Sequence, residues 1–200
     1  GTLIALIALV EPPNNMGIGA PCIADFDGDG HVEIAIPAAV SLSVYEVDGE
    51  ELWSAPIQDE SGAAGCSAYD FDADGAYEVL YADEDVFYIL DGATGSELYS
   101  NTDHTQTTVV EFPVVADVDA DGSAEVVLIS YSSGVGSPGI TVLGSVSNSW
   151  PAAGPSWAIQ DHAVGRVLAD GHVPSSAPPP WTLANVFRGR PTVDPKAELS

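Results

Sequence analysis

Three segments of this 200-residue chain repeat one arrangement of acids. They are Asp25-Phe-Asp27-Gly-Asp29-Gly30-His31-Val-Glu33, Asp70-Phe-Asp72-Ala-Asp74-Gly75-Ala76-Tyr-Glu78 and Asp117-Val-Asp119-Ala-Asp121-Gly122-Ser123-Ala-Glu125. Carboxylates at positions 1, 3 and 5, a glycine at 6 and an acid at 9 are the donor set of a hard cation, above all Ca²⁺. Position 7 (His31, Ala76, Ser123) varies in type, which suits a ligand supplied by the backbone carbonyl. The expected metal ligands are therefore Asp25, Asp27, Asp29, His31 and Glu33 in the first loop. The second loop offers Asp70, Asp72, Asp74, Ala76 and Glu78, and the third offers Asp117, Asp119, Asp121, Ser123 and Glu125. Without metal, carboxylates ~5 Å apart repel by roughly 3 kcal/mol per pair at an effective dielectric of about 20. Metal or protons must relieve that repulsion in the folded chain, so about three Ca²⁺ are expected.

EF-hands share Asp-x-Asp-x-Asp-Gly but place an acid at position 12 between helices. Here position 12 is Ile36, Tyr81 and Leu128, and the flanks are short β-type runs. Pro21–Ala24, Cys66–Tyr69 and Phe112–Ala116 precede the loops, and Val32–Ile36, Tyr77–Tyr81 and Ala124–Ile129 follow them. A third run follows in each unit: Leu42–Val47, Val86–Leu90 and Gly139–Leu143. Asp48-Gly49 and Asp91-Gly92 mark turns into fourth strands at Glu51-Leu-Trp53 and Glu97-Leu-Tyr99. The first Asp residues are 45 and 47 positions apart, and four strands in that span make one propeller blade. Three four-stranded blades are expected over 18–58, 62–104 and 108–150. Residues 151–200 are Pro-rich, with a vestigial Asp170-Gly171. They read either as a divergent fourth blade or as a strap, with Arg188 and Arg190 as counter-charges.

The arrangement resembles the FG-GAP/VCBS repeats of integrin-α-like β-propellers over residues 18–150, with Glu33, Glu78 and Glu125 at the family's usual Asp position. The resemblance implies Ca²⁺ held between the first two strands of each blade. The stretch from Trp157 through Asp170-Gly171 to Trp181 and Arg188 looks like the segment that follows such repeats in bacterial surface proteins. The expected fold is thus all-β, as a partial propeller or a compact four-unit ring. Residues 1–17 carry the apolar run Leu3–Val10, expected as a strand that closes a blade or pairs with a neighbouring subunit.

Composition limits function. Thirty acids face four basic residues, a formal charge of −26. Residues 1–165 contain no Lys or Arg, which excludes nucleic acid and anionic membranes as partners. Leu3–Val10 is too short to span a bilayer as a helix. Open calcium loops suit the calcium levels outside cells, so the expected setting is extracellular, secreted or cell-surface. Cys22 and Cys66 precede the first two loops and are expected as buried free thiols, with a bridge between adjacent blades as the alternative. His104, His162 and His172 lack zinc spacing and are expected at the surface. The four tryptophans read as packing residues, and Asp83-Glu84-Asp85 as a turn. With no Gly-x-Ser-x-Gly, His-Glu-x-x-His or phosphate loop present, the leading expectation is a non-catalytic module for adhesion or filament assembly. Its partners would be protein subunits or surface glycans. The other expectation is a polysaccharide-binding or lyase-type domain.

Overall fold

A computed structural model of the chain describes residues 1–9, 17–59, 61–106, 111–131, 138–154, 157, 160, 162–168 and 172–192. Their regular structure is all-β, apart from one 3₁₀ turn at Pro180–Thr182. Among them, no helix is long and apolar enough to cross a membrane.

All but the last strand fall into three antiparallel sheets in chain order, and the last joins the second sheet in parallel. The first runs β1 (Cys22–Ala24), β2 (Glu33–Pro37), β3 (Ser41–Tyr45) and β4 (Glu51–Pro56). The second runs β5 (Ser67–Tyr69), β6 (Glu78–Ala82), β7 (Phe87–Leu90) and β8 (Glu97–Asn101). The third holds β9 (Val114–Ala116), β10 (Glu125–Ser130) and β11 (Gly139–Gly144). Each acidic loop joins the first two strands of its sheet, with the acid at position 9 opening the second strand. That is where strand, not helix, flanks were expected.

Both faces of the middle sheet are buried, because period-2 alternation sends successive side chains to opposite sides. Ala35, Leu42, Val44 and Trp53 of the first sheet pack against Ala68, Val79, Tyr81 and Leu90 of the second. Tyr69, Leu80, Ala82, Phe87 and Ile89 then pack against Val115, Val126 and Leu128 of the third. Trp53 spans the first interface and donates from Nε1 to the Gly92 carbonyl at 2.6 Å. Its ring fills the space a Cβ on Gly95 would need.

Three expectations are corrected. The third sheet has three strands among the described residues, not four. At the fourth-strand position the chain turns through Asn148, at φ +49, and reaches Pro151, which has no N–H for a ladder. Cys22 of β1 and Cys66, the residue just before β5, form a disulfide, with Cα atoms 5.5 Å apart, instead of two free thiols. Stacking the first two sheets brings Cys22 beside a residue one position off the repeat register, in which its counterpart is Ser67. His104 is buried, with Nδ1 3.0 Å from the Ser130 hydroxyl, and His162 is half-buried against the Trp157 ring at 4.7 Å. Burial lowers both pKa values, that of His162 to about 4 with Arg190 contributing. His172 is exposed, as expected. Residues 1–9 form no ladder with the other described residues; Val10 lies outside the described residues.

The C-terminal part runs as a strap. Phe187 pairs with Ile23 of β1, and β12 (Gly189–Arg190) lies parallel to β5. Arg190 reaches the Val115 carbonyl of β9, so the strap follows the opening strands of all three sheets. Arg188 is buried, its guanidinium 4.9 Å over the Phe112 ring. Asp170 and Gly171 lie outside the described residues.

Candidate metal centre

The loops owe their shape to backbone N–H groups captured by the Asp side chains, the Asx-turn habit that makes Asp a turn residue. Asp25 accepts from the amides of Gly28 at 2.8 Å and Gly30 at 3.0 Å. Asp27 accepts from Asp29, and Asp29 from His31. The second loop repeats this. Asp70 accepts from Gly75, Asp72 from Asp74 and Asp74 from Ala76. In the third, Asp117 accepts from Gly122, Asp119 from Asp121 and Asp121 from Ser123. The position-6 glycines take φ values of +91, +101 and +89, a region that side chains with a Cβ disfavour. Position 4 is left-handed as well: Gly28 there is followed in the later loops by Ala73 and Ala120, both at φ +61.

These turns bring the acids together. One oxygen from each of Asp25, Asp27 and Asp29 lies within 4.8 Å of the others, and the same holds for Asp70, Asp72 and Asp74. In the third loop the grouped residues are Asp117, Asp119 and Glu125. There Asp121 turns to accept from the Asn148 side chain, and Glu125 takes its place in the cluster. Sequence reasoning had no signal for that exchange, because Asn148 is 27 residues away.

The position-9 acids are buried and tied to the loop. Glu33, Glu78 and Glu125 accept through Oε2 from the amides of Phe26, Phe71 and Val118, at 2.6, 2.7 and 2.8 Å. Burial drives the Glu33 and Glu78 carboxyls up to about 7, and the neighbouring Asp charges add to the rise against the lowering effect of those amide bonds. Glu125 is raised for the same reasons, and Asp70 by burial first. Glu33 Oε1 and Asp70 Oδ1 are buried with no hydrogen-bond partner among the described residues. A buried carboxylate oxygen left unsatisfied is costly, and a cation seated in the loop would satisfy it. The donor set is oxygen throughout, so the clusters fit a hard divalent ion.

His31, Ala76 and Ser123 follow the ring of acids, each giving its N–H to the preceding Asp. Their side chains stand apart: His31 is exposed, and the Ser123 hydroxyl donates to the Trp150 carbonyl at 3.2 Å. Asp83 is no part of these clusters. It accepts from the amides of Asp85 and Val86 and closes the β6–β7 turn.

Sequence inspection also missed the groove of about 630 Å³ between the second and third sheets, beside the second loop. Phe71, Tyr99 and Trp150 wall it, and Asp72 and Glu78 border it. It opens where Tyr99 of β8 stands at the position that Trp53 fills in β4.

No protein-family model and no curated protein matches the chain. Among solved structures, the V. cholerae biofilm matrix protein Bap1 superposes with a TM-score of 0.74 at 28% identity, over 82% of this chain. A Bacillus licheniformis rhamnogalacturonan lyase aligns over 65% of this chain and 34% of its own, with a TM-score of 0.39 at 18% identity. The chain spans 28% of the length of the Bap1 chain it matches.

Proposed function

We propose that this chain is a calcium-stabilised, non-catalytic module of an extracellular surface or matrix protein. Its three sheets would be consecutive FG-GAP/VCBS-like blades of an integrin-α-like propeller. The observation that carries the reading is the threefold recurrence of one loop geometry, including buried acceptors in Glu33 and Asp70 that the described residues leave unmet. The likeness to a biofilm matrix protein supports the extracellular, adhesive setting, as does a surface too acidic for nucleic acid. Calcium in each loop would tie the first two strands of a blade together and neutralise charge that otherwise opposes folding. The ligands would be the oxygens of Asp25, Asp27 and Asp29 and their counterparts, with the carbonyls of His31, Ala76 and Ser123 available at position 7. The test is thermal unfolding against free calcium, with calorimetric counting of bound ions. A large rise in melting temperature with about three ions per chain is expected. A melting temperature indifferent to EDTA overturns the reading.

The aromatic groove favours a second reading, a site for surface glycans, since Tyr99 and Trp150 offer ring faces next to Asp72 and Glu78. Incubation with acidic polysaccharides, with and without EDTA, separates the readings. Calcium-dependent binding without cleavage supports a binding module, whereas unsaturated or reducing-end products identify a lyase.

A further inference from the structure

The first and second loops are joined through their backbones. The Tyr77 N–H, at position 8 of the second loop, donates to the Asp25 carbonyl at 2.9 Å. The peptide group that carries this N–H carries on its other side the Ala76 carbonyl, the position-7 oxygen available to an ion in the second loop. The peptide group of the Asp25 carbonyl carries the Phe26 N–H, which donates to Glu33 Oε2 at 2.6 Å. A trans peptide points its C=O and N–H in opposite directions. One path therefore runs from the second metal position through two peptides and two hydrogen bonds to the position-9 acid of the first loop. Each of these loops also holds a buried carboxylate oxygen with no partner among the described residues. They are Glu33 Oε1 and Asp70 Oδ1, on side chains exposed by 0 and 6%.

Packing holds these two loops against each other. A Cβ on Gly92 would collide with the carbonyls of both Phe26 and Tyr77, so the turn before β8 lies on the two loops at once. Trp53 anchors that turn through the Gly92 carbonyl. A Cβ on Gly28 would touch the Ala76 side chain at 3.5 Å. The third loop has no such link. Ala124 and Asp70 are the counterparts of Tyr77 and Asp25, yet among the described residues no hydrogen bond joins the Ala124 N–H to the Asp70 carbonyl. The aromatic groove opens between the second and third sheets instead. Asp121 is held by the Asn148 side chain, and no buried acceptor of the third loop is left unmet among the described residues.

Resting on the calcium reading proposed above, we infer that the first and second loops bind calcium as a positively coupled pair, through the Ala76–Tyr77 and Asp25–Phe26 peptides, while the third loop binds alone. An ion drawing on the Ala76 carbonyl polarises its peptide and makes the Tyr77 N–H a stronger donor. The Asp25–Phe26 peptide passes this on to the Glu33 carboxylate, because hydrogen bonds in a chain polarise one another. The influence is reciprocal, so an ion in the first loop raises the affinity of the second by the same factor. Filling one loop also weakens the negative field that draws in the next ion, an opposing effect that salt screens.

Calorimetric calcium titrations test it, run in about 1 M KCl, where the screening length is about 3 Å. Asp27→Ala, Asp72→Ala and Asp119→Ala each disable one loop and leave two. The three double combinations each leave one loop and give its separate affinity. Asp119→Ala, which keeps the first and second loops, is expected to bind its two ions about fivefold or more tighter than the separate affinities predict. Asp27→Ala and Asp72→Ala are expected to bind as the separate loops do. Additive or weaker binding in Asp119→Ala overturns the inference and leaves the calcium reading standing, as does an equal excess in Asp27→Ala. No calcium uptake by the wild type or any variant overturns both. If a variant does not fold, nuclear magnetic resonance of the wild type decides. The coupling across the hydrogen bond from the Tyr77 amide to the Asp25 carbonyl is expected to grow as calcium is added, and a coupling that stays constant overturns the inference.

Discussion

Replacing Glu78 with Gln should stabilise the metal-free protein and destabilise the calcium-loaded one, a crossing that few other roles for this residue produce. The amide oxygen of Gln keeps the acceptor for the Phe71 N–H, a bond of 2.7 Å in the native loop. What disappears is a buried charge. In the folded chain the Glu78 carboxyl is pushed from 4.5 to about 7, chiefly by burial and then by Asp72, Asp70 and Asp74. A raised acid means that the folded state holds the proton more tightly than the unfolded state does. The cost of ionisation is therefore complete above pH 7, shrinks as the pH falls, and is gone below 4.5. At about 1.4 kcal/mol per unit, a rise of this size costs about 3 kcal/mol at pH 8. For a chain of this length, 1 kcal/mol moves the melting temperature by about 2–4 °C. In EDTA at pH 8 the variant should melt roughly 6–12 °C above wild type, and the two should converge near pH 4.5. In saturating calcium the order should reverse, because the ligand shell has lost a charge. Differential scanning calorimetry in four conditions, two pH values with and without calcium, reads all of this. A variant that melts below wild type in EDTA at pH 8 refutes the electrostatic account. An unchanged calcium-induced shift refutes Glu78 as part of the metal centre.

The wild type in EDTA should gain stability as the pH falls from 8 towards 5, since Glu33 and Glu78, both near 7, take up protons in the fold first; calcium titrations should run the other way, tighter at higher pH. Reduction of the Cys22–Cys66 bridge, which closes a sequence separation of 44, should cost about 4 kcal/mol by loop-closure entropy. Thiol titration of the native, unreduced protein should find none among these two residues. Trp53→Ala should cost about 3–5 kcal/mol, because it empties the gap over Gly95 and leaves the Gly92 carbonyl without its donor; urea unfolding measures it. Gly75→Ala, at φ +101, should cost about 1–2 kcal/mol and weaken calcium binding at the second loop, whereas Ala73→Gly at φ +61 should be neutral or mildly stabilising.

Local chemistry made much of this protein legible from residue order alone. Asp side chains bend their own backbone, glycine is needed at left-handed positions, and β-branched and aromatic runs bounded by turns form strands. The spacing of acids therefore located all three loops, and the strands around them followed from alternation. Each position-9 glutamate is tied into its own loop by an amide only seven residues away, a contact short enough for sequence to suggest. Contacts across sheets were beyond such reasoning. Nothing near Asp121 announces that Asn148 will take up its carboxylate, and nothing near His104 announces that Ser130 will bury it. The pairing of Cys22 with Cys66 depended on how far adjacent sheets rotate when they stack, a quantity set by packing. Among the described residues the third sheet has no fourth strand, and the chain after β11 turns on bonds from the amides of Asn148 and Ser149 to Ser145. Sequence determined what each unit is, because a unit is held by near neighbours. Tertiary structure decided how units meet, because that outcome depends on side chains brought together from distant parts of the chain.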